Sequence, residues 1–310
     1  MLQRGIPAIK QALALIRTSV VILTYVRDPV VTEVLDALRP MIGVRTDCEV
    51  VLVDNNADAI DRTAMLAGFA NSRLVRMPTN VGVIARNDGV AAAVGETIVL
   101  LDDDVFVRTP DFPDRFARLF DEDPQLGVVT IRKLTGDAEG SRVDLIPHTD
   151  KSVDLTRPFK TFRFVGGCVA FRRSMFQNLG GFSREFFYGL EEIEFSYRIV
   201  EAGWTILYTP EVEAFELEHP AGRRPMREVQ TARLKNKYIM SWLHMPFPHI
   251  VLNYALFTPY IAWRTRGEIS IGGAVGGFMT WLGRKDRPRR RPIGQAARAY
   301  IVSTGGSLWR

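Results

Sequence analysis

The sequence predicts an α/β protein with a mostly parallel central sheet flanked by helices, followed by a helical, basic and aromatic C-terminal region. Three observations predict it. Short apolar runs rich in β-branched residues alternate with segments of helical spacing. Three of these runs end, one after another, in polar or acidic groups. Beyond Gly222 the composition turns basic and aromatic.

Ile9 to Arg17 has helical spacing and is expected to form a short leading helix. Ser19 to Tyr25 reads as a first strand buried on both faces, because nothing polar alternates within it. It delivers Thr24, Tyr25, Arg27 and Asp28 to its carboxyl end. Val30 to Met41 repeats Val31, Val34, Leu35 and Leu38 at helical intervals, with Pro40 near its stop. Cys48 to Val53 is a second strand, running into Asp54-Asn55-Asn56; a helix is expected over 61–69. Arg73 to Met77 reads as a third strand, Pro78 to Gly82 as a turn, and Ile84 to Val94 as a helix whose Ala and Gly suit close approach to a sheet. Ile98 to Leu101 then runs straight into Asp102-Asp103-Asp104. Strand, helix, strand, helix, strand is the pattern of right-handed crossovers in a parallel sheet.

The second half is predicted as a helix over 113–120, a strand over 127–131, a polar irregular segment from Thr135 to Pro158, and a strand from Phe162 to Phe171 interrupted by Gly166-Gly167. A helical stretch from Arg172 to Leu179, Gly180-Gly181-Phe182 and a helix opening at Glu191 follow. Strands are expected over 203–208 and 212–217, then a helix over 226–243 and an apolar aromatic stretch over 247–263 broken by Asn253 and Pro259.

The chain has 310 residues, 46% hydrophobic, enough for one large core with an appendage. Lys and Arg exceed Asp and Glu by 40 to 35, a modest bias concentrated in Arg284 to Arg291. Such a run is a solvated tail or, less commonly, a contact for anionic lipid or nucleic acid. No aromatic and basic platform accompanies it, so no nucleic-acid partner is expected. Cys48 and Cys168 have no metal-ligand spacing, and two distant cysteines suit a reducing cytosol. No secretory signal and no run of 18 apolar residues is evident, so a cytoplasmic protein is expected, with peripheral contact at the inner membrane face as an addition.

Three acids at a strand end cannot be buried unpaired, so they face solvent, a cation or a cationic ligand. Closely spaced oxygen ligands suit Mg²⁺ or Mn²⁺; a solvated acidic turn is the bland alternative. Gly166-Gly167 allows either a ligand close to the backbone or a β-bulge. Glu191 and Glu192 in a first helical turn satisfy the helix dipole, or one of them is a general base. His219, just past a strand, is either structural or a ligand. The basic and aromatic C-terminal region suits a membrane interface or, alternatively, caps the open side of the core.

In their order, these pieces resemble a family 2 glycosyltransferase of the GT-A (Rossmann-like) fold, rhamnosyltransferase-like, over about Val20 to Gly222. The resemblance rests on Thr24-Tyr25, Val53-Asp54-Asn55, Pro78-Thr79-Asn80-Val81-Gly82 with Ala85-Arg86-Asn87-Asp88-Gly89, and Leu101-Asp102-Asp103-Asp104. It continues through Gly180-Gly181-Phe182, Phe187-Tyr188-Gly189 with Glu191-Glu192, Ser196 and Arg198, and His219. It implies an inverting, metal-dependent transferase of hexosyltransferase type that uses Mn²⁺ or Mg²⁺ and a UDP- or dTDP-sugar. The implied acceptor is a hydroxyl on a lipid-linked or cell-envelope glycan, or a natural product.

Carried over by position, Tyr25, Asp54 and Arg86 hold the nucleotide base and Asp102 meets the ribose. Thr24, Arg27, Asn55, Asp103, Gly166 and Gly167 complete the nucleotide-sugar site. Asp104 and Asp102 hold the metal, with His219 on the metal or diphosphate. Glu192 matches the catalytic base, with Glu191 as the alternative. Residues 1–222 form the implied catalytic domain, split into a nucleotide half (18–107) and an acceptor half (108–222), and 223–310 a helical extension. The sequence departs from the family pattern at Glu192, where aspartate is usual, at Val26, where asparagine is usual, and at Leu23, where proline is common. Two rivals are a nucleotidyltransferase, whose glycine- and lysine-rich loop is missing after the first strand, and a non-catalytic nucleotide-sugar-binding protein.

Overall fold

The structure, a computed structural model, describes residues 16–136, 142–217 and 225–308. The predicted leading helix and His219 lie outside the described residues, apart from the last two residues of that helix. The first half comprises β1 (Thr18–Thr24), α1 (Asp28–Ile42), β2 (Cys48–Asp54), β3 (Ser72–Arg76), α2 (Ala85–Ala92) and β4 (Thr97–Asp102). The second adds β5 (Val105–Val107), α3 (Phe112–Glu122), β6 (Leu126–Gly136), β7 (Arg142–Asp144), β8 (Phe159–Thr161), β9 (Cys168–Arg172), α4 (Arg173–Asn178), α5 (Glu191–Glu201) and β10 (Thr205–Leu217). Four helices follow: α6 (Met226–His244), α7 (His249–Arg264), α8 (Ile271–Leu282) and α9 (Gln295–Ser303).

The strands join in the order β3-β2-β1-β4-β9-β6-β10-β5, with β7 on β6 and β8 on β10. The β3-β2-β1-β4 half is parallel, as is β6 with β10. Antiparallel β9 is inserted between β4 and β6. Alternate residues of the strands serve two cores. Val20, Ile22, Val50 and Leu52 pack with α1 and α3 on one face. Val21, Val51, Val53, Ile98 and Leu100 face α2, α4, α5 and the C-terminal helices. Burial on both faces is why these strands read as unbroken apolar runs. Gly89 lets α2 lie against Val21 and Val53, where any added methyl would collide.

Several predicted elements differ. The helix expected over 61–69 is a single 3₁₀ turn, Thr63–Leu66. The strand expected over 162–171 begins only at Cys168; the six residues before it are irregular, and Gly167 has φ +90°. The two strands expected over 203–217 are one, β10, whose pairing with β6 shifts between Thr209 and Glu213 at Pro210, which has no N–H to give the ladder. The C-terminal helices cap the core: Leu234, Tyr238, Met240, Phe278, Trp281 and Ile301 share one apolar cluster with the sheet. Part of the basic run is structural as well. Arg290 donates to Trp242 O (2.9 Å) and Met245 O (2.6 Å), and Arg284 pairs with Glu185 (2.8 Å). Among the described residues, no helix is long and apolar enough to cross a membrane.

Candidate active site

Strand register brings the polar ends of the parallel strands together. Thr24 lies opposite Asp54, and Leu23 opposite Asp102. The carboxyl edge of the sheet, where open α/β sheets bind ligands, therefore carries the acid triplet.

Arg27 bridges two of those acids. Its Nη1 is 2.6 Å from Asp104 Oδ2 and 3.1 Å from Asp103 Oδ1. Arg86, from α2, pairs with Asp102 Oδ1 and lies over the Phe182 ring. Lys133, from β6, pairs with Glu216 of β10 at 2.7 Å. Glu191 and Glu192 open α5 and act electrostatically on Arg86; Glu192 also acts on Lys133. Asp102 acts on both Asp104 and Glu192, so the triplet and the paired glutamates form one charge cluster.

Titration behaviour follows from burial and neighbours. Burial, then Asp102, pushes Asp104 up to about 7 against the pull of Arg27. Burial also raises Asp103, opposed by Arg27. Asp102 goes the other way: burial acts to raise it, but Arg86, Lys133 and Arg27 outweigh that and hold it below the ordinary range. Burial and the neighbouring Glu191 raise Glu192, while burial raises Glu191 against Arg86. A carboxylate raised in this way can take up a proton near neutral pH.

The glycine pair has a spatial reason. Gly166 lies flush against the Glu192 carboxylate and Gly167 against the Lys133 ammonium, so a side chain at either position would displace a charged group. Gly167 O also accepts from Asp102 N at 2.8 Å.

Other expected site residues sit differently. Tyr25 is exposed at the strand end, open to a ligand. Thr24 is buried at the strand end, and its hydroxyl has no hydrogen-bond partner among the described residues. Asp54 is 0% exposed, and its oxygens are taken by Arg62 Nη1 (3.0 Å) and Asn56 Nδ2 (2.8 Å). These bonds hold Asp54 at the strand end, in register with Thr24. Asn55 is likewise turned inward. It brackets the 80–82 turn, giving Nδ2 to Asn80 Oδ1 (2.9 Å) and taking Val81 N (3.1 Å).

Some residues escaped the sequence reading. Arg62 joins Asp28, Asp54 and Asp58 from within a stretch predicted as helix. Glu194 receives both Arg198 and His244 Nε2 (2.9 Å), tying α5 to α6. Arg198 also donates to Leu179 O (2.7 Å) and Gly181 O (2.6 Å), clasping a turn whose Gly180 and Gly181 have φ +77° and +64°. Lys133 follows Arg132 in an otherwise apolar strand, and it is the one of the two that is buried.

The donor set fits a hard divalent cation. Among the described residues no three Asp, Glu, His or Cys side chains group around one metal position. Two carboxylates are nonetheless a usual protein share for an ion held jointly with nucleotide phosphates. Asp104, raised by burial and then by its carboxylate neighbours, and already bonded to a guanidinium, is the group a cation would relieve.

A model of glycosyl transferase family 2 matches residues 19–180, more than half of the chain. The chain belongs to glycosyltransferase family 2. A second model, described as the N-terminal domain of galactosyltransferase, matches residues 149–220. A curated relative of this glycosyltransferase is the N-acetylglucosaminyl-diphospho-decaprenol L-rhamnosyltransferase of Mycobacterium tuberculosis. It is 27% identical over 262 residues, 71% of this chain and 82% of that protein.

Solved structures share the GT-A fold. GalNAc-T7 with UDP, GalNAc and Mn²⁺ superposes with a TM-score of 0.60 at 18% identity, covering 86% of this chain and 57% of that one. The present glycosyltransferase thus spans little more than half of that structure. The mannosyltransferase PcManGT from Pyrobaculum calidifontis, with GDP-Man and Mn²⁺, gives 0.57 at 20% identity, covering 93% and 79%. S. aureus TarS 1-349 with UDP-GlcNAc gives 0.57 at 16% identity, covering 95% and 90%.

Proposed function

We propose that this glycosyltransferase moves a sugar from a UDP- or dTDP-sugar to a hydroxyl of a lipid-linked or cell-envelope glycan, with inversion at the anomeric carbon. The observation that carries the reading is the family 2 match over residues 19–180, with Asp102 at the carboxyl end of β4 paired to Arg86. Tyr25, Arg27 and Arg86 receive the nucleotide, with Thr24, Asp54 and Asn55 fixing the loops that present them. Asp102 and Asp104 are the metal-holding residues, with His219 a further candidate, and Asp103 orients Arg27. A Mn²⁺ or Mg²⁺ ion held there supplies Lewis-acid neutralisation of the diphosphate.

Glu192 takes the proton of the acceptor hydroxyl as that oxygen attacks, and the missing side chain of Gly166 lets the Glu192 carboxylate keep its position. Its extra methylene relative to aspartate sets the acceptor farther from α5, and Glu191 is the alternative base. The 1–222 unit carries the chemistry and 223–310 the acceptor-side helices. A peripheral position at the inner membrane face is supported by exposed Val251, Leu252, Leu256 and Trp263 on α7. The M. tuberculosis relative, named for a diphospho-decaprenol acceptor, supports the lipid-linked class.

The test is transfer from a panel of UDP- and dTDP-sugars with Mn²⁺ to a diphosphate-linked lipid sugar, with the product read by NMR. An anomeric configuration opposite to the donor's is expected. Retention, or no transfer from any donor, contradicts the reading.

A further inference from the structure

The irregular segment between β8 and β9 carries an arginine that differs from the others in the site. Arg27, Arg62 and Arg86 each pair with aspartates. Arg163 is half-buried, yet no carboxylate among the described residues lies within ion-pair range of it. Its Nε has no hydrogen-bond partner. Its guanidinium lies 5.5 Å over the Phe162 ring, and its Nη2 reaches Ile146 O at 3.5 Å. The Nζ of Lys151 donates to the same carbonyl at 3.3 Å, so the two cations converge on one oxygen. Arg264, at the end of α7, acts on Lys151 as a third positive charge. Burial lowers Arg163 against the pull of Glu192, the opposite of the paired arginines, as expected for a cation with no carboxylate in direct contact.

Gathering like charges without an anion is costly, and the natural relief is an anionic ligand with several acceptor oxygens. The cluster adjoins the candidate base: three residues after Arg163, Gly166 lies against the Glu192 carboxylate, which also acts on Arg163. Leading away from it, α7 exposes Leu252, Leu256, Tyr260 and Trp263, spaced along one helical face. A diphosphate joined to a hydrocarbon chain matches both halves of this surface.

We propose that Arg163 and Lys151, with Arg264 beside them, hold the diphosphate of a prenyl-linked acceptor sugar, and that the apolar face of α7 takes its first prenyl units. This rests on the transfer reading above and assigns acceptor-binding residues to it.

Farnesyl diphosphate, farnesol and inorganic pyrophosphate, titrated against the full chain in EDTA and followed by tryptophan fluorescence, test the site. EDTA keeps the metal-free acid triplet repulsive to diphosphate. The wild-type protein is expected to bind farnesyl diphosphate about tenfold or more tighter than either partial ligand, and Arg163→Gln or Lys151→Gln to remove about tenfold of that affinity. Lys151 is exposed, so its variant keeps the test independent of folding. Farnesol binding as tightly as farnesyl diphosphate, or both variants binding like wild type, would overturn the site. Pyrophosphate binding as tightly as farnesyl diphosphate would overturn the lipid half of the proposal. These titrations need no donor. Failure of the transfer reading shows separately, as absence of UDP or dTDP binding with Mn²⁺.

Discussion

Arg27 Nη1 lies 2.6 Å from Asp104 Oδ2 and 3.1 Å from Asp103 Oδ1, at the point where the two carboxylates converge. A guanidinium there offsets the mutual repulsion of three adjacent acids. Removing one partner of a largely buried pair leaves the other uncompensated. Arg27→Gln is expected to destabilise the metal-free protein by about 3 kcal/mol, toward the lower end for buried pairs because Arg27 is 18% exposed. Thermal melts with and without Mn²⁺ check this: the ion should raise the variant's midpoint more than the wild type's.

Glu192→Gln keeps shape and hydrogen bonding but cannot accept the acceptor's proton. Turnover is expected to fall by about 10²–10⁴-fold with donor binding unchanged, measured by steady-state kinetics and calorimetry. A normal rate in this variant would shift the base role to Glu191.

The same residue sets a pH dependence. Burial and Glu191 raise Glu192 from the ordinary value of 4.5 toward neutrality. The base form is then filled only as pH climbs through the raised value, so activity should rise across that range, and the limb should vanish in Glu192→Gln. Stability runs the other way. Between the unfolded and folded values the native state binds more protons than the unfolded one, so this group's contribution falls as pH rises. Paired pH-rate and denaturation profiles check both signs.

Val26 follows the exposed Tyr25 and has φ +51°, a left-handed conformation that β-branched residues rarely adopt. Its N–H is pinned to Asn56 Oδ1 at 2.8 Å. Val26→Asn should raise stability by about 1 kcal/mol, since asparagine tolerates this region and the Val26 side chain is half-exposed. Urea unfolding measures the gain.

Gly166→Ala places a methyl against the Glu192 carboxylate. The expected result is a folded protein with donor affinity near wild type and kcat reduced by about tenfold or more, because a misplaced catalytic group is costly. Calorimetry and kinetics on one preparation separate the two effects.

The parallel half was legible because strands buried on both faces leave continuous apolar runs, and their polar ends mark one edge of a sheet. The antiparallel insertion of β9 was not, since pairing partners leave no local trace. Phe162 to Val165 looks like a strand by composition, yet Gly166-Gly167 turns the chain to pass Glu192 and Lys133. Helix α8 was hidden by its glycines. Gly273 and Gly277 weaken helical propensity but let α8 approach Thr231 and Lys235 of α6. Within the site, acids clustered in sequence were easy to find. Cations that meet them from distant strands and loops, such as Lys133 on Glu216 and Arg62 on Asp54, exist as pairs only in the fold.

The most direct measurement is calorimetric binding of UDP and dTDP with Mn²⁺ and with EDTA, for the wild-type protein and Asp104→Asn. Mn²⁺ is expected to tighten wild-type binding by about tenfold or more and to leave the variant unchanged, as a carboxylate-held ion bridging to phosphates requires. Equal affinity with and without Mn²⁺ in the wild-type protein would contradict a metal-dependent donor site at the acid triplet.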